Sequence, residues 1–158
     1  MIAVALIAAA TVFVLQTFVK KKPSLESIVN DYNVVLQQAL TMTLLTKKTH
    51  QVRFFFDDDG LCHTIGINPM EKNKNLHNNT MEKKIIMKTP IKMTSLFIDG
   101  KNELANGKTR ETWIKIYPEG YAQECSISFI MPDGVQGTYR LNPFICALRD
   151  EDYDAKKT

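Results

Sequence analysis

The first nineteen residues, MIAVALIAAATVFVLQTFV, carry no charged side chain, and Lys20, Lys21, Lys22 and Pro23 close the run. As a helix rising about 1.5 Å per residue, such a run reaches roughly 28 Å. A bilayer core is about 30 Å thick. Ile2 to Ala10 is apolar on every side, so the segment has no amphipathic period. A helix that is apolar all round seeks lipid or the centre of a large core, and a chain of 158 residues is too small to supply the second. Thr11 can bond back to its own helix, and Gln16 and Thr17 fall at headgroup depth. A cleaved secretory signal needs a basic leader segment and a small-x-small cleavage site. No basic residue precedes the run, and bulky or charged residues follow it. The reading is therefore a membrane-inserted helix, ahead of a cleaved signal or a buried soluble helix. Lys20 to Lys22 alone would hold the following domain on the cytoplasmic side; a basic segment upstream would reverse that balance.

Beyond the lysines the pattern becomes amphipathic. Ser24 is placed to cap a helix, with Glu26 and Asp31 in its early turns. Ile28, Tyr32, Val35, Ala39 and Met42 form one stripe, widened by Val29, Leu36, Leu40 and Leu44. Steps of three and four predict a helix from about 24 to 47, its stripe facing a core. Lys47 and Lys48 suit its C-terminal end.

From residue 50 the period changes to two. Val52, Phe54 and Phe56 alternate with Arg53 and Phe55, DDDG makes a turn, and LCHTIGI returns with Leu61, His63, Ile65 and Ile67 expected on one face. Residues 68–84, rich in Asn and Lys, read as a loop. KKIIMK, MTSLFIDG and ETWIKIYP read as separate strands, with Gly100 and Gly107 turning the link between the last two. ECSISFI alternates Cys125, Ile127 and Phe129 against Ser126, Ser128 and Ile130. Pro132, Asp133 and Gly134 then turn the chain. GTYRLNPFICAL returns as a strand or pair that Pro143 interrupts. The expected architecture is α+β. A long N-terminal helix, membrane half 1–22 and amphipathic half 23–49, packs on a small, mostly antiparallel sheet domain over 50–150. A charged tail follows at 151–158.

Catalytic chemistry finds no constellation in this chain. His50, His63 and His77 lie in no GxSxG or HExxH context, and no phosphate loop occurs. Cys62 and His63 are neighbours on a strand and so diverge. No catalytic, cofactor-binding or metal-binding residue is assigned, no cofactor is expected, and the chain reads as no enzyme. Asp57, Asp58 and Asp59 lack the alternating ligands of a calcium loop, with Asn68 where the closing Glu would stand. The acidic stretch Asp150, Glu151, Asp152 and Asp154 has no closing structure around it. Lys72, Lys74, Lys83, Lys84, Lys88 and Lys92 have no aromatic residue among them, and a net charge of +3 is small. Nucleic acid is not an expected partner, nor is a small-molecule substrate. Cys62, Cys125 and Cys146 show no CxxC spacing, which argues against zinc. One disulfide with one free thiol and three reduced thiols both remain open.

The opening MIAVALIAAATVFVLQ resembles the middle of the N-terminal helix of type IV pilins and type II secretion pseudopilins. The closing Phe129, Pro132, Asp133, Gly134 and Gly137 resemble the F-x-PDG hairpin of H-type minor pseudopilins. On this resemblance Met1 falls a few residues into the mature helix, and a leader, its cleavage site and a family glutamate would lie upstream. The resemblance implies a non-enzymatic subunit held by one span in the bacterial inner membrane, its domain in the periplasm. Its partners would be other pilin-like subunits met through the N-terminal helix, in a short filament of a type II secretion system. The alternative is a single-pass envelope protein whose β-domain binds a ligand or partner.

Overall fold

A computed structural model describes residues 23–70 and 83–151. The predicted transmembrane stretch 1–22, most of the Asn- and Lys-rich segment and the tail from 152 lie outside the described residues. Among the described residues, no helix is long and apolar enough to cross a membrane.

Helix α1 spans Leu25–Thr46, within a residue of the predicted limits at each end. Ser24 stands just before it in extended conformation, and its hydroxyl accepts the Ser27 N–H at 3.2 Å. That satisfies one of the donors a helix start leaves bare. Ser24→Ala is expected to cost about 1 kcal/mol, read as a lowered urea midpoint with an unchanged slope. Lys47 ends the helix in the left-handed region at φ 56°, its N–H reaching the Thr43 carbonyl at 2.9 Å. Ile28, Val29, Tyr32, Val35, Leu36 and Ala39 are buried as the period requires. Leu44 is exposed and Thr43 is buried in its stead. Thr43 is tolerated there because its hydroxyl donates to the Ala39 carbonyl at 2.8 Å.

The strands are β1 (His50–Phe56), β2 (Leu61–Pro69), β3 (Lys83–Ile98), β4 (Lys101–Asn102), β5 (Glu111–Tyr117), β6 (Tyr121–Ala122), β7 (Cys125–Ile130), β8 (Gln136–Asn142) and β9 (Ala147–Asp150). They form one sheet in the order β6-β5-β1-β2-β3-β7-β8-β9, with β4 on β3, and every pairing is antiparallel. Helix α1 packs on the face that carries Val52, Phe54, Ile65, Ile67, Ile114, Ile116, Ile127 and Phe129. Tyr32 sits between the two halves of the sheet. Its ring centroid lies 6.3 Å from Phe54 on β1 and 5.2 Å from Phe129 on β7.

Three expectations about the strands need correction. Leu61 and His63 do not share the buried face with Ile65 and Ile67; Cys62 does. Phe55 pairs with Thr64 but Phe56 pairs with Cys62, so His63 is an extra residue that reverses the parity. The loop expected over 68–84 is shorter at both ends, since β2 runs through Pro69 and β3 starts at Lys83. KKIIMK and MTSLFIDG are one strand of 16 residues through Pro90, not two. Pairing to β2 jumps from Ile86 to Ile91, so Pro90 falls where the ladder is interrupted and its missing N–H costs no bond.

The closing hairpin forms as expected. The Gly134 N–H donates to the Met131 carbonyl at 2.9 Å, and Gly134 takes φ 87°, where a side chain would be strained. Gly137 leaves little room for a side chain: a Cβ there would lie 3.0 Å from Leu25 Cδ2 and 3.0 Å from Tyr139 Cε2. The start of α1 and the start of β8 thus press against each other through a residue with no side chain.

The outer edge of β9 is closed by a side chain. Asn33 of α1 donates Nδ2–H to the Leu148 carbonyl at 3.3 Å and accepts the Leu148 N–H on Oδ1 at 2.6 Å. One amide thus stands in for a neighbouring strand and covers a backbone edge that would otherwise template pairing.

Candidate interaction surfaces

The histidines and cysteines come together in no catalytic arrangement among the described residues. His50 is buried, with Nδ1 2.9 Å from the Lys48 carbonyl and 3.1 Å from Thr43 Oγ1. A carbonyl only accepts, so Nδ1 carries the proton and His50 ties the end of α1 to the start of β1. His63 sits at the β2 bulge, directed away from Cys62 in the core, and His77 is outside the described residues.

Cys62, Cys125 and Cys146 are free, buried thiols. Burial pushes the Cys62 thiol up to about 11 and the Cys125 thiol up to about 12, the latter aided by Cys146, Asp99 and Glu124 nearby. Burial also raises Cys146 to about 11. The Tyr32 hydroxyl lies against Cys62 and is raised by the same loss of water. Thiols that titrate above their usual value hold their protons in the fold and release them sooner when unfolded. Stability is therefore fully present below about pH 9 and falls as pH rises from there towards 11 to 12. Urea midpoints across that range should drop, and a variant with all three cysteines replaced by serine or alanine should lose part of the slope. Native protein should resist iodoacetamide at pH 8 and react at three thiols in urea.

The acidic turn is satisfied by the chain itself. Asp57 Oδ1 accepts the N–H groups of Asp59 at 3.0 Å and Leu61 at 2.8 Å, and Asp58 pairs with Arg110. Among the described residues no three His, Cys, Asp or Glu side chains converge as metal ligands. Asp152 and Asp154 lie outside those residues. Lys84, Lys88 and Lys92 are exposed at every fourth residue of β3, and Lys72 and Lys74 are not among the described residues.

What the fold does present is surface. The outward side of α1 exposes Val34 and Leu45. The sheet face away from α1 is polar on its C-terminal half. There Ser95 Oγ donates to Ser128 Oγ at 2.9 Å, and Ser128 Oγ lies 3.0 Å from Thr138 Oγ1. Arg140 pairs with Glu124 on the same face. Over the other half, Arg53 pairs with Glu111 at 2.7 Å and lies 5.7 Å from the Trp113 ring centre. Sequence patterning set Arg53, Ser126 and Ser128 opposite the apolar residues of their strands but gave none of them a role. The Asn33 clamp was also missed, because a lone Asn at the edge of a helical stripe looks like any solvated residue.

Neither a family model nor a curated relative matches the chain. Solved structures do. The chain is similar to a type IV minor pilin. That protein, FimU from Pseudomonas aeruginosa, is 12% identical, with 80% of this chain and 87% of that chain covered and a TM-score of 0.49. A second crystal form of FimU gives 13% identity, 80% and 92% coverage and a TM-score of 0.48. The minor pseudopilin EpsH from the Type 2 Secretion System of Vibrio cholerae is 12% identical, with 77% and 91% coverage and a TM-score of 0.45.

Proposed function

We propose that this chain is a non-enzymatic pilin-like subunit, a minor pseudopilin of a type II secretion system that joins a short periplasmic filament. The observation that supports the reading is the construction of α1. Its inner stripe fills the core of the sheet, and in the sequence only Lys20 to Pro23 stand between its cap at Ser24 and the uncharged run of nineteen residues. The helix that packs on the sheet is thus the next described element along the chain after that segment. An all-apolar helix that leaves lipid must find other apolar helices, and a bundle of such helices at the centre of a filament supplies that environment. The inner membrane holds the subunit before assembly, and other pilin-like subunits are its partners afterwards.

Carbonate extraction of membranes from cells making the full chain tests the first step. The chain should stay in the pellet, and its release would end the proposal. Sidedness is read with Lys101→Cys, an exposed residue on β4. The three native thiols are buried and stay silent. A membrane-impermeant maleimide should label the new thiol in intact spheroplasts; labelling only after lysis would place the domain on the other side. In-frame codons upstream of Met1 should encode a basic leader ending in small residue–Phe-x-x-x-Glu.

A further inference from the structure

Strand β3 is covered over only part of its length. From Lys92 to Ile98 it pairs with β7. From Lys83 to Ile91 it has β2 on one side and, among the described residues, no strand on the other. An antiparallel strand with one neighbour turns every second N–H and C=O outward. This stretch therefore presents an open row of backbone donors and acceptors. Pro90 supplies no N–H, so the row closes there.

The side chains along the row select what can join it. Lys84, Ile86 and Lys88 alternate along one face, and all three are exposed. Ile86 stands bare between the lysines at 75% exposure. On the other face Met87 is buried in the core and Ile85 packs against it, which fixes the strand in place. Neither Lys84 nor Lys88 pairs with a carboxylate among the described residues. Lys92, further along, lies beside Asp58 and Asp59 and is offset by them. Lysine on an edge discourages pairing with a neutral strand. The same edge of a second copy would set Lys against Lys, which is unfavourable. Residues 71–82 hold no acidic run, with Lys72 and Lys74 against Glu71 and Glu82. An acidic strand from another protein meets both the open backbone and the two free charges.

We infer that the edge of β3 between Lys83 and Pro90 takes up an extended acidic segment of a partner protein as an added strand. Backbone bonds along the edge supply attraction and register. On the exposed face one carboxylate stands opposite Lys84, an apolar residue covers Ile86, and a second carboxylate stands opposite Lys88. Side chains two apart share a face, so the segment reads acid-x-apolar-x-acid. A neutral or basic strand leaves the lysines uncompensated or repelled, so the pair gives selectivity as well as affinity. The contact uses the sheet alone and does not depend on how residues 1–22 are held.

The test titrates the full chain in detergent with a labelled peptide, Thr-Glu-Thr-Val-Thr-Glu-Thr, at low salt, read by fluorescence anisotropy. Binding with a Kd below about 1 mM is expected, weakened about tenfold or more when both Glu are replaced by Lys. Lys84→Glu together with Lys88→Glu, both at exposed positions, should reverse that preference. Bound peptide should slow hydrogen exchange at outward amides between Lys84 and Thr89. A fully N-methylated peptide keeps the charges but offers no N–H, and it should neither bind nor protect. Absence of binding overturns the proposal. So does binding that survives N-methylation or leaves that stretch unprotected, since either means charge attraction alone. Amides that are all slow before peptide is added mean that residues 71–82 or a second copy already cover the edge, which also overturns it. Carbonate extraction does not depend on any of these results, so the membrane reading and this one fail separately.

Discussion

Phe129→Ala is expected to lower stability by about 3–5 kcal/mol, the cost of a large void in a packed core. Phe129 is fully buried on β7. Its ring lies 5.2 Å from Tyr32 of α1 and 6.0 Å from Tyr139 of β8, so it joins helix, central sheet and closing hairpin. Total stability for a domain is only about 5–15 kcal/mol, so the variant forfeits a large share. The melting temperature should fall by roughly 10–20 °C. Phe129→Leu keeps most of the volume and should cost about 1–1.5 kcal/mol. Circular dichroism during urea unfolding reads both variants. If the alanine variant lost less than about 1 kcal/mol, the three rings would not form the centre of the core.

Asn33→Ala should cost about 2–3 kcal/mol, since it strands a donor and an acceptor together. Both bonds of the clamp end on Leu148. Water can reach a part-buried edge only in part, so removing the amide leaves desolvation unrecovered. Hydrogen exchange separates this loss from a general weakening: the Leu148 amide should lose protection well beyond its neighbours on β8. A second consequence follows from the geometry of sheet edges. With Asn33 gone, the Leu148 backbone is free to pair with another chain, and the variant should aggregate at lower concentration than the parent. Unchanged exchange at Leu148 would show that Asn33 does not close the edge.

Much of the fold is legible along the chain. Ser24 and the three-and-four spacing from Ile28 to Ala39 mark α1, because capping and helical period are local properties. Val52, Phe54 and Phe56, and again Cys125, Ile127 and Phe129, mark strands with one buried face by strict alternation. Met131 to Gly134 marks a tight turn, because a proline followed two residues later by glycine suits few other conformations.

Other features were decided only when elements met. An extra residue at His63 reverses which side of β2 is buried, and alternation cannot announce it, because the parity is set by which residue its neighbour leaves unpaired. Pro90 looks like a break, yet β3 passes through it where β2 withdraws from the ladder. Tyr121 and Ala122 make a strand of two residues, too short for any period to register. Asn33 finds Leu148 across 115 residues of sequence. The chain by itself determined the apolar segment at the front, the amphipathic helix, the alternating strands and the turns between them, since each depends on contacts among near neighbours or on the conformational preferences of single residues. The tertiary structure decided the strand order, the bulge parity, the closed edge at β9 and the open one along the first half of β3. These depend on which distant backbone and side-chain groups find partners, and only the packed chain brings those groups within reach.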